Sequence, residues 1–169
     1  MEKPSDKPRF VTVTVSDTRT EADDASGKAL VEELADFVHV RHAILPDEPA
    51  RLTELVRGVI ASAEADAIVF TGGTGIAPRD RTYEALSALF DKELEGFGEA
   101  FRRLSWDEVG PRSILSRATA GTVENVVVFS LPGSEKAARL GARALIAPVL
   151  SHAVDLLHGR TKHHGKHGR

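Results

Sequence analysis

Cysteine is absent from the 169 residues of the chain, so disulfide bonds and thiolate metal sites are excluded. A chain without cysteine fits a reducing compartment, and the sequence therefore predicts a cytoplasmic location. No apolar run approaches the ~18 residues that span a membrane, so no membrane partner is expected. The charged first nine residues, which include two prolines, lack the apolar core of a signal peptide.

A surplus of positive charge is absent as well. The chain carries 22 Lys and Arg against 25 Asp and Glu, which gives a net charge of −3. Four of the basic residues lie in the segment 159–169, which has no acid, so the rest of the chain carries −7. An acidic body disfavours nucleic acid as a partner. We expect one domain at 10–158, between a short extension at 1–9 and a basic, histidine-rich tail at 159–169.

The apolar pattern predicts an α/β protein. Alternating or wholly apolar runs predict β-strands at 10–15, 38–45, 67–70 and 125–132. Apolar residues at helical spacing predict helices at 26–36, 49–60, 83–90, 95–104 and 133–157. Pro148 predicts a break or kink in the last helix. The order β-α-β-α-β-α-α-β-α is typical of a parallel sheet covered by helices on both faces. The stretch 105–122 is the least readable, and short irregular strands are expected there.

The segment TGGTG (71–75) places three glycines directly after the apolar strand at 67–70. Glycine permits positive φ and has no Cβ, so the N–H groups of such a loop can converge on an anion, of which phosphate is the natural choice. The helix that follows presents its N-terminus to the same anion. The segment Pro-Gly-Ser (132–134) ends the other wholly apolar strand in the same way. Both loops therefore predict one shared pocket, with a plain structural turn as the alternative.

Two well-known phosphate motifs do not fit the first loop. A P-loop needs Lys and Ser or Thr after its last glycine, but Ile76 and Ala77 follow Gly75. The dinucleotide fingerprint Gly-x-Gly-x-x-Gly fails because Pro78 stands in place of the third glycine. The loop also follows the third strand instead of the first. A nicotinamide-dependent dehydrogenase is therefore disfavoured, although it stays a hypothesis.

Seven short motifs lie between residues 15 and 137. They are VSD (15–17), DDASG (23–27), PDE (46–48), TGGTG with RD (71–75 and 79–80), EGFGEAFRRLS (95–105), SRATAG (116–121) and PGSEKA (132–137). Together they resemble the MoaB/MogA family of molybdenum cofactor biosynthesis, which is related to the gephyrin G domain. The fifth and last motifs look closer to the MoaB branch. The resemblance implies a three-layer α/β/α sandwich that assembles as a homotrimer or homohexamer.

The family also implies a reaction. Its active members adenylylate molybdopterin: molybdopterin and ATP give adenylyl-molybdopterin and pyrophosphate, with Mg²⁺ as cofactor. The two family aspartates correspond to Asp47 and Asp80, which we expect to be catalytic and to hold the Mg²⁺. Some MoaB-branch members lack this pair and are thought inactive, so its presence favours an enzyme over the alternative, a non-catalytic carrier or scaffold that binds molybdopterin. By residue type alone, the two aspartates could cap the helices that begin near Pro49 and Thr82.

The remaining candidate residues lie in the loops after the strands. We expect the following to bind the substrate or the nucleotide: Ser16, Asp17, Asp24, Ser26, Gly27, Thr71, Gly72, Gly73, Thr74, Gly75, Arg79, Arg117, Pro132, Gly133 and Ser134. Guanidinium groups pair with phosphate oxygens in a bidentate geometry, which makes Arg79 and Arg117 phosphate-binding candidates. A surface salt bridge is the alternative for both arginines. Helix capping is the alternative for Asp17, Asp24 and Ser26.

Overall fold

A computed structural model describes residues 7–160, which form a six-stranded sheet with helices on both faces. The strands are β1 (Arg9–Val15), β2 (Val38–Leu45), β3 (Ala67–Thr71), β4 (Lys92–Glu93), β5 (Thr119–Val123) and β6 (Val126–Leu131). Their order across the sheet is β2-β1-β3-β6-β5-β4. The first four strands in this order are parallel, whereas β5 is antiparallel to β6 and β4 is antiparallel to β5. The predicted α/β/α sandwich with a mostly parallel sheet is confirmed.

The helices of the described residues are α1 (Ala25–Glu33), α2 (Pro49–Ser62), α3 (Thr82–Ser87), α4 (Glu95–Val109), α5 (Glu135–Gly141) and α6 (Ala147–Leu157). A 3-10 turn follows α4 at Gly110–Leu115, and a π-helical turn at Ala142–Ile146 joins α5 to α6. Pro148 lies in the first turn of α6. Because proline has no N–H to donate, the regular α-helical hydrogen bonding is interrupted there, as predicted.

Each face of the sheet buries its own apolar core, because successive residues of a strand point to opposite faces. In β3, Ala67 and Val69 pack beneath α1, α4, α5 and α6, whereas Ile68 and Phe70 pack beneath α2 and α3. All four side chains are fully buried. Burying a side chain the size of valine or phenylalanine contributes about 1.5–3 kcal/mol. The central strand is therefore firmly anchored, and so is the glycine loop that leaves its carboxyl end.

Strand β5 is fully buried and begins in the stretch that was least readable, so the short strand expected there is confirmed, although its bounds were not predicted. Its sequence, TAGTV, has few bulky residues. Gly121 must stay small, since a Cβ there would lie 2.4 Å from the ring of Phe90. Small residues that accommodate a neighbouring ring weaken the pattern by which strands are recognised. The short strand β4 was also not predicted, α3 ends earlier than expected at Ser87, and α4 continues to Val109.

One helical stretch, Glu135–Leu157, is long and apolar enough to cross a membrane by length and composition. This corrects the expectation that no stretch approaches spanning length. In the fold, Ala138, Ile146 and Leu150 of this stretch are fully buried in the core on one face of the sheet. The stretch is therefore accounted for as the helical layer of the α/β sandwich.

Candidate functional site

The carboxyl ends of β1, β3 and β6 open onto a cavity of about 530 Å³. Its walls are formed by Thr14, Val15, Ser16, Arg19, Thr71, Gly72, Gly73, Thr74, Gly75, Asp80, Ser116, Pro132, Gly133 and Ser134. Both glycine loops thus line one cavity, as the sequence predicted. Ten of these fourteen residues were predicted site residues.

Gly72 and Gly73 both have the positive φ that favours glycine, at 108° and 70°. A Cβ at Gly72 would lie 2.3 Å from the carbonyl oxygen of Val15, and a Cβ at Gly73 would lie 2.0 Å from Oγ1 of Thr82. Neither position can therefore carry a side chain without moving the loop. The Gly72 N–H donates to the carbonyl oxygen of Leu131 at 2.9 Å, which ties the first loop to β6.

Several backbone N–H groups at the cavity form no hydrogen bond with the part of the protein that the structure describes. Within residues 7–160, the amide N–H groups of Gly73, Thr74 and Gly75 donate to no protein acceptor. The same holds for Gly133 and Ser134 in the second loop, among the residues that the structure describes. Unpaired N–H groups beside a cavity are suited to an anion, since they lose little when they exchange water for phosphate oxygens.

The second loop is fixed by a local helix cap and by a hydrogen bond from the first loop. Ser134 is the N-cap of α5, and its Oγ accepts the Ala137 N–H at 3.1 Å. The hydroxyl of Thr71 donates to the carbonyl oxygen of Pro132 at 2.8 Å, which joins the two loops. The two walls of the cavity are thereby held in register with each other.

Asp47 lies buried behind the first loop, with 6% of the residue exposed. Its carboxylate accepts hydrogen bonds from the Arg81 N–H at 3.1 Å and from the Thr82 hydroxyl at 3.3 Å. Burial raises the pKa of the Asp47 carboxyl above its ordinary 3.8, the two hydrogen bonds oppose the rise, and the charge of Asp80 adds to it. The alternative prediction that Asp47 caps α2 is wrong, because Glu48 is the N-cap of that helix. Asp47 instead secures the start of α3.

Asp80 lies on the wall of the cavity, against the first loop. Its Oδ2 accepts the Ala77 N–H at 3.0 Å, and a Cβ on Gly75 would lie 2.7 Å from that oxygen. The proposed cap of α3 by Asp80 is wrong, since Arg81 is the N-cap. Within residues 7–160, no group of three or more His, Cys, Asp or Glu side chains is placed to hold a metal ion. Mg²⁺ that binds with a nucleotide commonly takes one or two carboxylates and completes its shell with phosphates and water. Asp80 lies on the cavity wall and is of a type that fits such an ion, whereas Asp47 lies outside the wall and both of its carboxylate oxygens accept hydrogen bonds.

Arg79 and Asp17 bind each other instead of lining the cavity. The Arg79 Nε and Nη2 donate to the Asp17 carboxylate at 2.6 and 2.7 Å. Both side chains are exposed, and the hydrogen bond from Arg79 lowers the pKa of the Asp17 carboxyl. The surface salt bridge that was the alternative for Arg79 is therefore present, and Asp17 caps no helix.

Arg117 binds the backbone of the first loop from outside the cavity. Its Nε donates to the carbonyl oxygen of Gly75 at 3.0 Å, and its Nη2 donates to that of Asp80 at 3.2 Å. The guanidinium group also forms an ion pair with Glu84 and lies 5.3 Å from the ring centroid of Tyr83. These contacts face a separate cavity of about 570 Å³. The salt-bridge alternative is therefore present for Arg117 too.

The motif that begins α1 holds structure around the cavity. Asp24 is the N-cap of α1, accepting the Gly27 N–H at 2.9 Å, and it also contacts the His42 ring at 2.7 Å. Capping is thus confirmed for Asp24, which is buried and outside the cavity. The Ser26 hydroxyl donates to the carbonyl oxygen of Gly133 at 2.6 Å. Ser26 therefore reaches the second loop from behind.

Four wall residues were not predicted: Thr14, Val15, Arg19 and Ser116. The first two are the end of β1, where side chains alternate between core and cavity. Arg19 had a local signal, because Ser16 lies three residues earlier and its Oγ accepts the Arg19 N–H at 3.1 Å. Such a serine turn folds the following residues back towards the strand end. Ser116 lies in the least readable stretch and had no such signal.

The fold and cavity define an α/β protein with a crevice at the carboxyl ends of its parallel strands, lined by N–H groups that suit an anion. A family model described as "Probable molybdopterin binding domain" matches residues 11–152. The chain belongs to this family of molybdenum cofactor biosynthesis proteins, in agreement with the resemblance seen in the sequence.

Individual relatives place the chain beside MoaB proteins. It is 46% identical to molybdenum cofactor biosynthesis protein B of Bacillus subtilis (strain 168) over 149 residues, which are 86% of this chain and 88% of that protein. A crystal structure of molybdenum cofactor biosynthesis protein B is 43% identical, with a TM-score of 0.87 over 90% of this chain and 97% of that chain. The tungsten cofactor synthesizing protein MoaB from Pyrococcus furiosus is also 43% identical, with a TM-score of 0.81 over 94% and 100%. The predicted family and branch are confirmed.

Proposed function

We propose that this protein is a molybdopterin adenylyltransferase that uses Mg-ATP. The observation that carries the proposal is the cavity, where two glycine loops with unpaired N–H groups meet the Asp80 carboxylate. Membership of a family described as molybdopterin-binding supports molybdopterin as the acceptor. An oxygen of the molybdopterin phosphate attacks the α-phosphorus of ATP and forms a new P–O bond. The bond from that phosphorus to the α–β bridging oxygen breaks, and pyrophosphate leaves with that oxygen.

The chain's contribution to this reaction is to position charge. Attacking phosphate and α-phosphate are both anionic, so they repel unless the site neutralises them. The N–H groups of the loops at 72–75 and 132–134 would donate to phosphate oxygens without rearranging the protein. Bound Mg²⁺ would supply further positive charge to the phosphates. Asp80 would hold that ion from the cavity wall, and Asp47, buried behind the loop, would stabilise it by charge.

Assembly and location remain predictions that go with this function. Large apolar side chains are exposed near the first loop, along α4 and on the 3-10 turn that follows it: Ile76, Trp106, Val109, Ile114 and Leu115. Exposed apolar surface of this kind favours contact between copies of the chain. We propose the homotrimer or homohexamer expected from the sequence, which sedimentation velocity would measure directly, and a cytoplasmic location.

Pyrophosphate release from Mg-ATP in the presence of molybdopterin tests the function. We expect release by the wild type and a drop of at least about a hundredfold in Asp80→Asn, because the variant loses a charge that acts on the phosphates. Asp36→Asn is the matched control. Asp36 is an exposed aspartate between α1 and β2, so its variant should release pyrophosphate at the wild-type rate.

Each outcome separates the hypotheses. Tight binding of molybdopterin without release by the wild type would reject the transferase and favour the non-catalytic carrier. Equal rates in Asp80→Asn and the wild type would keep the reaction but remove Asp80 from it. Binding of a nicotinamide cofactor without Mg²⁺-dependent binding of ATP would favour a dehydrogenase.

A further inference from the structure

Of Arg19, Arg79 and Arg117, only Arg19 faces the cavity. Arg79 is bound by the Asp17 carboxylate, and Arg117 is bound by backbone carbonyl oxygens and the Glu84 carboxylate. Arg19 lines the cavity. Among the residues that form its walls, Arg19 and Asp80 are the only ionisable ones. Arg19 is therefore the positively charged side chain on the walls of this cavity, whereas Arg112 and Lys136 line an adjoining cavity that shares Ser116, Pro132 and Ser134 with it.

The Arg19 guanidinium group is fixed by neutral partners. Its Nη1 donates to Oγ of Ser26 at 2.8 Å, and its Nη2 donates to the carbonyl oxygen of Gly133 at 3.3 Å. The Ser26 hydroxyl donates to the same carbonyl oxygen, so Arg19, Ser26 and Gly133 are each hydrogen-bonded to the other two. Within residues 7–160, Arg19 forms no ion pair with a carboxylate. The nearby Asp23 carboxylate accepts hydrogen bonds from Thr20, and the charge of Arg19 helps to lower its pKa. Arg19 is thus held in place by hydrogen bonds to neutral partners, without a carboxylate bound to its guanidinium group.

We propose that Arg19 is the phosphate-binding arginine of this site and that Ser26 and Gly133 position it. A guanidinium group carries more N–H donors than these two bonds use, in a planar arrangement that matches phosphate oxygens. The side chain comes from the loop after β1, and the unpaired N–H groups come from the loops after β3 and β6. A phosphate in the cavity would be contacted from all three. The ligand is a phosphate group, whether of ATP or of molybdopterin, so the inference rests partly on the proposed function.

Equilibrium binding of inorganic pyrophosphate, of Mg-ATP and of molybdopterin, each measured separately on the full chain, tests the proposal without turnover. We expect Arg19→Gln to weaken at least one of the phosphate ligands by roughly ten- to a hundredfold, the effect of losing a charged hydrogen bond. Arg19→Lys keeps the charge but not the planar set of N–H donors, so its affinity should fall less than that of Arg19→Gln. Ser26→Ala should bind the phosphate ligands severalfold more weakly than the wild type. The salt dependence of its binding should stay that of the wild type because no charge is removed.

Arg41→Gln is the matched control, since Arg41 forms an exposed ion pair with Glu64 on the edge strand. It should bind like the wild type. If Arg19→Gln weakens pyrophosphate and Mg-ATP alike, the phosphate is that of the nucleotide. If it weakens only molybdopterin, the phosphate is that of the pterin substrate, and both results support the proposal.

Several results would overturn the inference. Unchanged binding of all three ligands by a folded Arg19→Gln, with thermal unfolding as the check on folding, would do so, and so would a greater loss in Arg79→Gln. If Arg19→Gln does not fold, wild-type affinity in Arg19→Lys together with Ser26→Ala would reject it. Failure of the proposed function looks different: the wild type would then bind the ligands without releasing pyrophosphate, or would bind no phosphate ligand, which rejects both.

Discussion

The two glycine loops reach one cavity by different means. In the first loop, at 71–75, Gly72 and Gly73 take up positive φ, and distant segments hold the backbone through Leu131 and Arg117. In the second loop, at 132–134, Gly133 has no positive φ, and Ser134 caps the helix that the loop itself begins. The first loop therefore depends on a backbone shape that the rest of the fold imposes. The second has no positive φ and combines a local cap with distant contacts from Thr71, Ser26 and Arg19, so the two should respond differently to substitution.

Gly72→Ala should have the largest effect on stability, because it strains the backbone of the first loop. The added Cβ would lie 2.3 Å from the carbonyl oxygen of Val15, and φ is 108°. A strained backbone of this kind costs about 1–3 kcal/mol, before the contact with β1 is counted. We expect the free energy of unfolding to fall by about 2–4 kcal/mol in urea denaturation, with loss of phosphate binding.

The control for this substitution is Gly58→Ala in α2, where a Cβ would meet nothing within 4 Å. Alanine is favoured over glycine within a helix, so this variant should gain about 0.5–1 kcal/mol. If Gly72→Ala were as stable as the wild type, the loop would be free to shift. The backbone shape would then not be what distinguishes the first loop from the second.

Ser134→Ala should have a smaller effect, because it removes only the cap of the second loop. The Ala137 N–H loses its acceptor, and such a loss costs about 0.5–2 kcal/mol. Urea denaturation measures the loss, and Ser134→Asp, which restores an oxygen acceptor, should recover most of it. A loss as large as that of Gly72→Ala would mean that Ser134 holds more than its own helix, which would erase the difference between the loops.

The same difference explains what the sequence could predict. Apolar runs such as 67–70 and the glycines after them were predicted correctly, since a buried strand and a positive-φ loop each demand particular residues. The cap formed by Asp24 is local, and it was foreseen as an alternative. By contrast, Asp17 and Arg79 are 62 residues apart, so their pairing leaves no trace in a local pattern. Both arginines chosen for phosphate proved to be engaged elsewhere.

Other misses have the same origin. Asp47 was considered as a cap of the helix beside it, but it binds the start of α3, 34 residues away. The bounds of β5 were not predicted because Gly121 makes room for the ring of Phe90, a contact between distant elements. Arg19 is defined as a wall residue by its bond to Gly133, which lies 114 residues later. Local rules predicted the scaffold and the loops, whereas partners across the fold decide what each charged side chain does.

Asp47→Asn should have the smallest effect on stability, and of opposite sign. Asp47 lies behind the first loop, where a Cβ on Gly73 would come within 2.3 Å of its Oδ2. Burial raises the folded-state pKa of its carboxyl above 3.8. The ionised form therefore costs stability at neutral pH, and this cost disappears as the pH falls through the folded-state pKa to below 3.8. Asparagine keeps the shape and an acceptor for the Arg81 N–H but has no charge.

The urea midpoint of Asp47→Asn should therefore exceed that of the wild type at neutral pH, with the difference shrinking in acid. Mg²⁺ should stabilise the wild type more than the variant, because a cation compensates the buried charge. A lower midpoint for the variant at neutral pH would mean that the bonds from Arg81 and Thr82 outweigh the burial of the carboxylate. Asp47 would then stabilise the first loop as Ser134 stabilises the second. Its carboxylate would serve the structure and not a metal ion.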